Sequence, residues 1–185
     1  MQPVATKIGE TIHFPDHPEF APNLTPRHIF ELGSFGGTYW RPIFSGVNSR
    51  EYRNQHKEFP WWDGIREENL SSSDCDPARN KYGVSSGTSL IYWEEHGWIH
   101  PQDPYGWVQW YCRFYAGRRS PDDKRQIERW QAFAGPKGRF RLRLIKLCNA
   151  KGKKYDDATV SPVIRQGLQH WAYVLTKEDF NKTFA

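Results

Sequence analysis

The chain has 185 residues, a formal net charge of +5 and few aliphatic side chains. Its hydrophobic fraction of 37% and mean hydropathy of −0.83 resemble disorder, but nine Trp, nine Tyr and eleven Phe argue against that class. No apolar run approaches the ~18–20 residues of a membrane span, and the polar start Met1–Glu10 lacks the layout of a secretion signal.

A globular domain is therefore expected, with a core built largely from rings, each of which removes about 150–250 Å² from water when buried. Cys75, Cys112 and Cys148 are well separated and show no C-x-x-C spacing. They read as free thiols of an intracellular protein, cytoplasmic or nuclear, with Cys112 in the core among Trp110, Tyr111 and Phe114.

Residues 1–24 contain Pro3, Pro15, Pro18 and Pro22 and little periodicity, so they read as an N-terminal arm on a single aromatic-rich helical domain spanning 25–185. A capping residue followed by Pro marks a helix start at Thr25-Pro26, Asp76-Pro77, Asp103-Pro104, Ser120-Pro121 and Ser161-Pro162. Thr25–Leu32 reads as a helix ended by Gly33, and Arg50–Lys57 as another short one. Ser89–His96 is expected to be helical up to Gly97. After Asp103, Trp107, Trp110, Tyr111 and Phe114 share one helix face up to Gly117.

After Ser120, Ile127, Trp130 and Ala134 share a face until Gly135-Pro136. Arg139–Leu147 alternates basic and apolar residues; it fits a strand, but Arg and Leu are good helix formers and the helix is preferred. After Ser161, Ile164, Leu168, Trp171, Ala172 and Leu175 form a stripe, and Thr176 caps a last helix to Thr183. The fold expected is mainly α, one compact helical domain with an irregular, Gly/Pro-rich N-terminal third. The alternative is α+β with one small sheet including residues 139–145.

Charge is placed unevenly. Arg113–Lys154 holds fourteen basic residues against Asp122, Asp123 and Glu128, a local balance of +11 that leaves −6 for the rest. Such asymmetry points to a polyanion, most often nucleic acid, held through Arg113, Arg118, Arg119, Arg125, Arg129, Arg139, Arg141 and Arg143. The expected function is a nucleic-acid-associated domain, DNA or RNA, that recognises or processes an unstacked or modified base.

The rings and glycines of Gly36, Gly37, Tyr39, Trp40 and Arg41, with the loop pair Trp61-Trp62, are the candidates for a stacking pocket. The Gly-rich stretch matches neither the phosphate-loop nor the dinucleotide pattern. A second reading is a small-molecule enzyme with a ring-lined pocket between that stretch and the helices, its Arg residues holding an acidic or phosphorylated substrate. A third is a protein-interaction module.

His13/His17 and His96/His100 have ligand spacing, but Pro15, Pro18, Gly97 and Pro101 disrupt their helices, and no metal is expected. Glu94, Glu95, His96, Asp74, Asp76 and His170 are acid–base candidates. No nucleophile arrangement stands out, so no catalytic residue is assigned and no cofactor is implied.

Overall fold

The fold is organised around one ring-rich helix, seen in a computed structural model that describes residues 7–182. The first six residues of the expected arm, and Thr183, lie outside the described residues. Helix α3 (Trp107–Tyr115) buries every residue except Arg113. Phe20, from the N-terminal segment, sits against its rings: centroids lie 5.5 Å from Trp110, 5.7 Å from Tyr111 and 5.5 Å from Phe114. Trp130 closes the same cluster at 5.2 Å. Edge-to-face pairs dominate here, the geometry that aromatic quadrupoles favour.

Helices α1 (Pro26–Glu31) and α4 (Asp123–Phe133) pack against α3, α5 (Arg139–Ala150) packs on α4 and α6 (Pro162–His170) on α5; α2 (Leu90–Glu95) and α7 (Lys177–Lys182) complete the helices. A two-stranded antiparallel sheet joins β1 (Ile43–Ser45) to β2 (Arg50–Tyr52), with Phe44 opposite Glu51. Among the described residues helix is the main regular structure, in seven α-helices, beside one small antiparallel sheet. That sheet lies at 43–52; residues 139–145, its place in the α+β alternative, are helical within α5. Among the described residues no helix is long and apolar enough to cross a membrane.

Several starts follow from their caps. Thr25 accepts from the His28 amide and His28 Nδ1 accepts from the Thr25 amide, a capping box with His in place of an acid. Ser89 caps α2, Thr176 caps α7, and Asp76 caps a short 3₁₀ turn at Pro77–Arg79. Asp123 reaches back to the Ser120 amide and hydroxyl, both at 2.8 Å, and α4 begins at Asp123 itself.

Two expectations fail for physical reasons. Arg50–Lys57 is not a helix: Ser49 and Asn54, at φ of +52° and +55°, bracket β2 with left-handed turns that a helix cannot contain. A separate 3₁₀ turn follows at Gln55–Glu58. Asp103 does not cap α3, which starts after Gly106; its carboxylate is drawn to arginines further along the chain.

Candidate ligand-binding site

The site is built on the Gly-rich turn. Phe35, Gly36 and Gly37 take successive left-handed φ values of 55°, 57° and 84°. For Phe35, a residue with a Cβ, this costs about 1–2 kcal/mol, and the surroundings hold it there. Gly36 N–H donates to Asn80 Oδ1 at 2.7 Å, and Ser34 Oγ donates to the Ile29 carbonyl at 2.6 Å. Helix α6 supplies the rest. Gln166 and Gln169 donate to the Gly33 carbonyl at 3.2 and 2.8 Å, and His170 Nε2 accepts the Phe35 amide hydrogen.

His170 is buried, and burial pushes its pKa down to about 3. With Nε2 accepting, the ring proton belongs on Nδ1, so the imidazole is a neutral donor. Nearby, the buried Tyr39 hydroxyl donates to the Tyr105 carbonyl at 2.7 Å and accepts from the Gln109 amide. These two tyrosines have pKa values raised by burial, Tyr105 to about 12, and remain protonated phenols.

Phe35, Tyr39 and His170 together form part of the wall of a cavity of about 870 Å³. Rings supply about half of its lining: Trp93 and Trp98 from the α2 segment, Trp107 from α3, Phe133 from α4, Phe140 from α5 and Trp171 after α6. The volume and the apolar wall suit a drug-sized ligand. A smaller cavity of about 390 Å³ shares Phe35, Tyr39, Thr88, Trp93 and Tyr105 and adds Arg41, Asn80, Cys75, Ser85 and Ser89. One lobe is aromatic and the other richer in polar groups.

The segment around α2 forms the outer wall. Helix α2 has no buried residue, and Glu94 tethers it through the Gly46 amide at 2.9 Å. Ile91, Tyr92 and Trp98 remain exposed.

The eight arginines expected to hold a polyanion divide into two groups. Arg113 and Arg118 both bind the fully buried Asp103, and Arg113 also binds Glu58. Arg119 pairs with Asp16, Arg125 with Asp122 and Arg141 with Asp179. These five guanidiniums are engaged by carboxylates of their own chain. Asp16 and Asp122 are held below the usual carboxylate range, Asp16 chiefly by its bond from Arg119 and Asp122 by its bonds from Arg125 and Gln126 against the opposing effect of burial.

Arg129, Arg139 and Arg143 form no ion pair among the described residues. Arg129 is half-buried, and its guanidinium lies over the rings of Trp98 (5.8 Å) and Trp171 (5.4 Å). Its hydrogen-bond partners are neutral: the Trp98 carbonyl and Gln126 Oε1. Burial, with repulsion from Arg125, pulls its pKa down to about 10 against the pull of Asp122. It stays charged at neutral pH, desolvated and without a counter-ion in contact. Arg129 and Arg139 both line the aromatic cavity.

The expected stacking residues are also divided. Tyr39 and Arg41 line the cavities, with Arg41 Nη1 donating to the Thr38 carbonyl. Trp40 is fully buried against Tyr105 and Phe59. Gly36 and Gly37 lie beneath backbone of the 68–76 region. Trp61 and Trp62 are half-buried: Trp61 stacks on Phe59 at 5.0 Å, and Trp62 Nε1 donates to the His56 carbonyl. None of these five lines either cavity.

Of the acid–base candidates, only His170 faces the large cavity. Glu94 is the tether, and His96 stacks on Tyr92 at 3.9 Å. Among the described residues no group of three or more His, Cys, Asp or Glu gathers as a metal site. Phe133, Phe140 and Trp171 escaped sequence reasoning as wall residues because each fits a core stripe equally well. The spacing Arg129–Phe133, one helical turn on one face, is the local signal that links a cation to a ring there. Comparisons with protein-family models, with curated proteins and with solved structures find no match.

Proposed function

We propose that this protein binds a planar, anionic small molecule in the aromatic cavity, its ring system between Trp and Phe walls and its charge at Arg129 and Arg139. The observation that carries this reading is Arg129, a guanidinium largely withdrawn from water and in ion-pair contact with no carboxylate among the described residues. Holding an unpaired cation in such a place costs stability, and a bound anion recovers that cost. Arg over a ring also suits flat anions, since the guanidinium can donate in its plane while one face stays stacked.

The reading corresponds to the small-molecule alternative, with an acidic or phosphorylated ligand. A planar anion of this kind is either a free metabolite or one unit of a nucleic-acid strand. The polar lobe would take the ligand's hydroxyl or carbonyl groups, and His170 Nδ1 offers a neutral donor at the cavity wall. Three unpaired cysteines, with Cys75 exposed, support an intracellular setting.

Calorimetric titration with naphthalene-2-carboxylate and with neutral naphthalene-2-methanol tests the proposal. The carboxylate is expected to bind at least about tenfold tighter, since a charge-assisted hydrogen bond is worth about 1.5–3 kcal/mol. Equal binding, or none, would overturn it.

A further inference from the structure

We propose that the planar anion is one nucleotide of a single-stranded nucleic acid, whose adjoining strand lies along the outer face of α5. The inference rests on the cavity reading and extends it to a substrate class. Arg139, Arg143 and Lys146 stand at i, i+4 and i+7 of α5, opposite the buried Leu144, Ile145 and Cys148. All three are exposed and form no ion pair among the described residues. From Arg129 to Tyr155 the chain holds no acidic residue at all, so this helix and its flanking turns supply none.

Arg139 is at once the first cation of this stripe and part of the cavity wall, so the positive face runs to the cavity itself. Like charges one helical turn apart repel and weaken a helix, and a row of phosphates along them removes that penalty. At 1.5 Å per residue the stripe from Arg139 to Lys146 is about 10 Å long, more than one phosphate group occupies. Arg113, Arg118, Arg119, Arg125 and Arg141 are each engaged internally, which leaves Arg139 and Arg143 of α5 as the exposed arginines of the basic segment that form no ion pair among the described residues.

A single strand fits better than a duplex. A base can enter the ring-lined cavity only after leaving its stack, which costs little in a single strand, and base–aromatic stacking then holds it.

The test uses the full chain, a labelled single-stranded oligothymidylate of roughly twelve nucleotides, in the range of known site sizes, and the variant Arg143→Gln/Lys146→Gln. Both positions are exposed and outside the cavity, so naphthalene-2-carboxylate affinity is expected to stay unchanged. Oligonucleotide affinity is expected to fall, and the slope of log K against log salt to flatten by about 1.4, the release from two phosphate contacts at about 0.7 each. The naphthalene carboxylate should also displace the oligonucleotide.

Unchanged affinity and slope in the variant would overturn the inference. So would oligonucleotide binding that the small probe cannot displace, or equal binding of the matching duplex, heparin or anionic vesicles. If the small probe binds and the oligonucleotide does not, this inference fails and the cavity reading stands; if the small probe itself does not bind, the cavity reading fails.

Discussion

Phe35 donates its amide hydrogen to His170 Nε2 at 3.2 Å, and the two rings stack with centroids 3.9 Å apart. This contact fastens the left-handed turn of the Gly-rich stretch to α6 and sets one wall of the cavity. It requires an imidazole whose Nε2 is free to accept, which burial enforces.

A pH dependence of stability follows. The folded pKa of His170, about 3, lies below the ordinary 6.5, so the unfolded chain takes the proton first as pH falls. The contribution of neutral His170 is complete above about pH 6.5 and shrinks toward about pH 3, at up to about 1.4 kcal/mol per unit. His28 and His56 are also lowered, chiefly by burial, so the His170 share is the difference between wild type and His170→Gln. Urea denaturation should show the substitution costing more at pH 7 than at about pH 4.5. Equal costs at both would contradict the burial of a neutral ring.

Asp103 is the anchor of two cations. It accepts from Arg113 at 3.0 Å and from Arg118 at 2.8 and 2.6 Å while fully buried. Asp103→Asn leaves Arg118 without its carboxylate and Arg113 with Glu58 alone, and is expected to destabilise by about 3–5 kcal/mol. Chemical denaturation measures this; a cost below about 1 kcal/mol, the level of an exposed pair, would show that the arginines are held by other means.

Glycines of similar φ should respond very differently to Ala. At Gly33 (φ +77°) a Cβ would run into the Arg79 carbonyl, whereas at Gly97 (φ +67°) it meets nothing within 4 Å. Gly97→Ala should cost only the left-handed strain of about 1–2 kcal/mol. Gly33→Ala must move backbone as well, so its thermal midpoint is expected to fall well below that of Gly97→Ala. Equal losses would mean that the Gly33–Arg79 approach does not constrain the turn.

Local chemistry made much of this fold legible in the sequence. Thr25, Ser89 and Thr176 cap their helices, and the ring spacing of α3 places its buried face, because caps and periodicity depend on residues within one or two turns. Asp103 shows where that reach ends. Its Asp-Pro pattern fits a cap, yet Arg113 and Arg118 compete for the carboxylate from positions a local pattern does not weigh. The charge count fails similarly: Arg119 meets Asp16 across the chain, so counting cations on one segment misses the acid that neutralises them. The residues 43–52 hairpin is too short for alternation to register. The cavity was legible only in fragments, with Tyr39, Arg129, Arg139 and His170 recognisable as residues of interest and their convergence set by tertiary packing.

The central claim is that Arg129 is held desolvated for an anion, and Arg129→Met tests it most directly, keeping an unbranched apolar side chain beside Trp98 and Trp171 while removing the charge. Titration of wild type and variant with naphthalene-2-carboxylate and naphthalene-2-methanol isolates the charge contribution. Carboxylate affinity should fall about 10–100-fold, naphthalene-2-methanol affinity should hold, and stability should stay within about 1 kcal/mol. Undiminished carboxylate binding by Arg129→Met would contradict it.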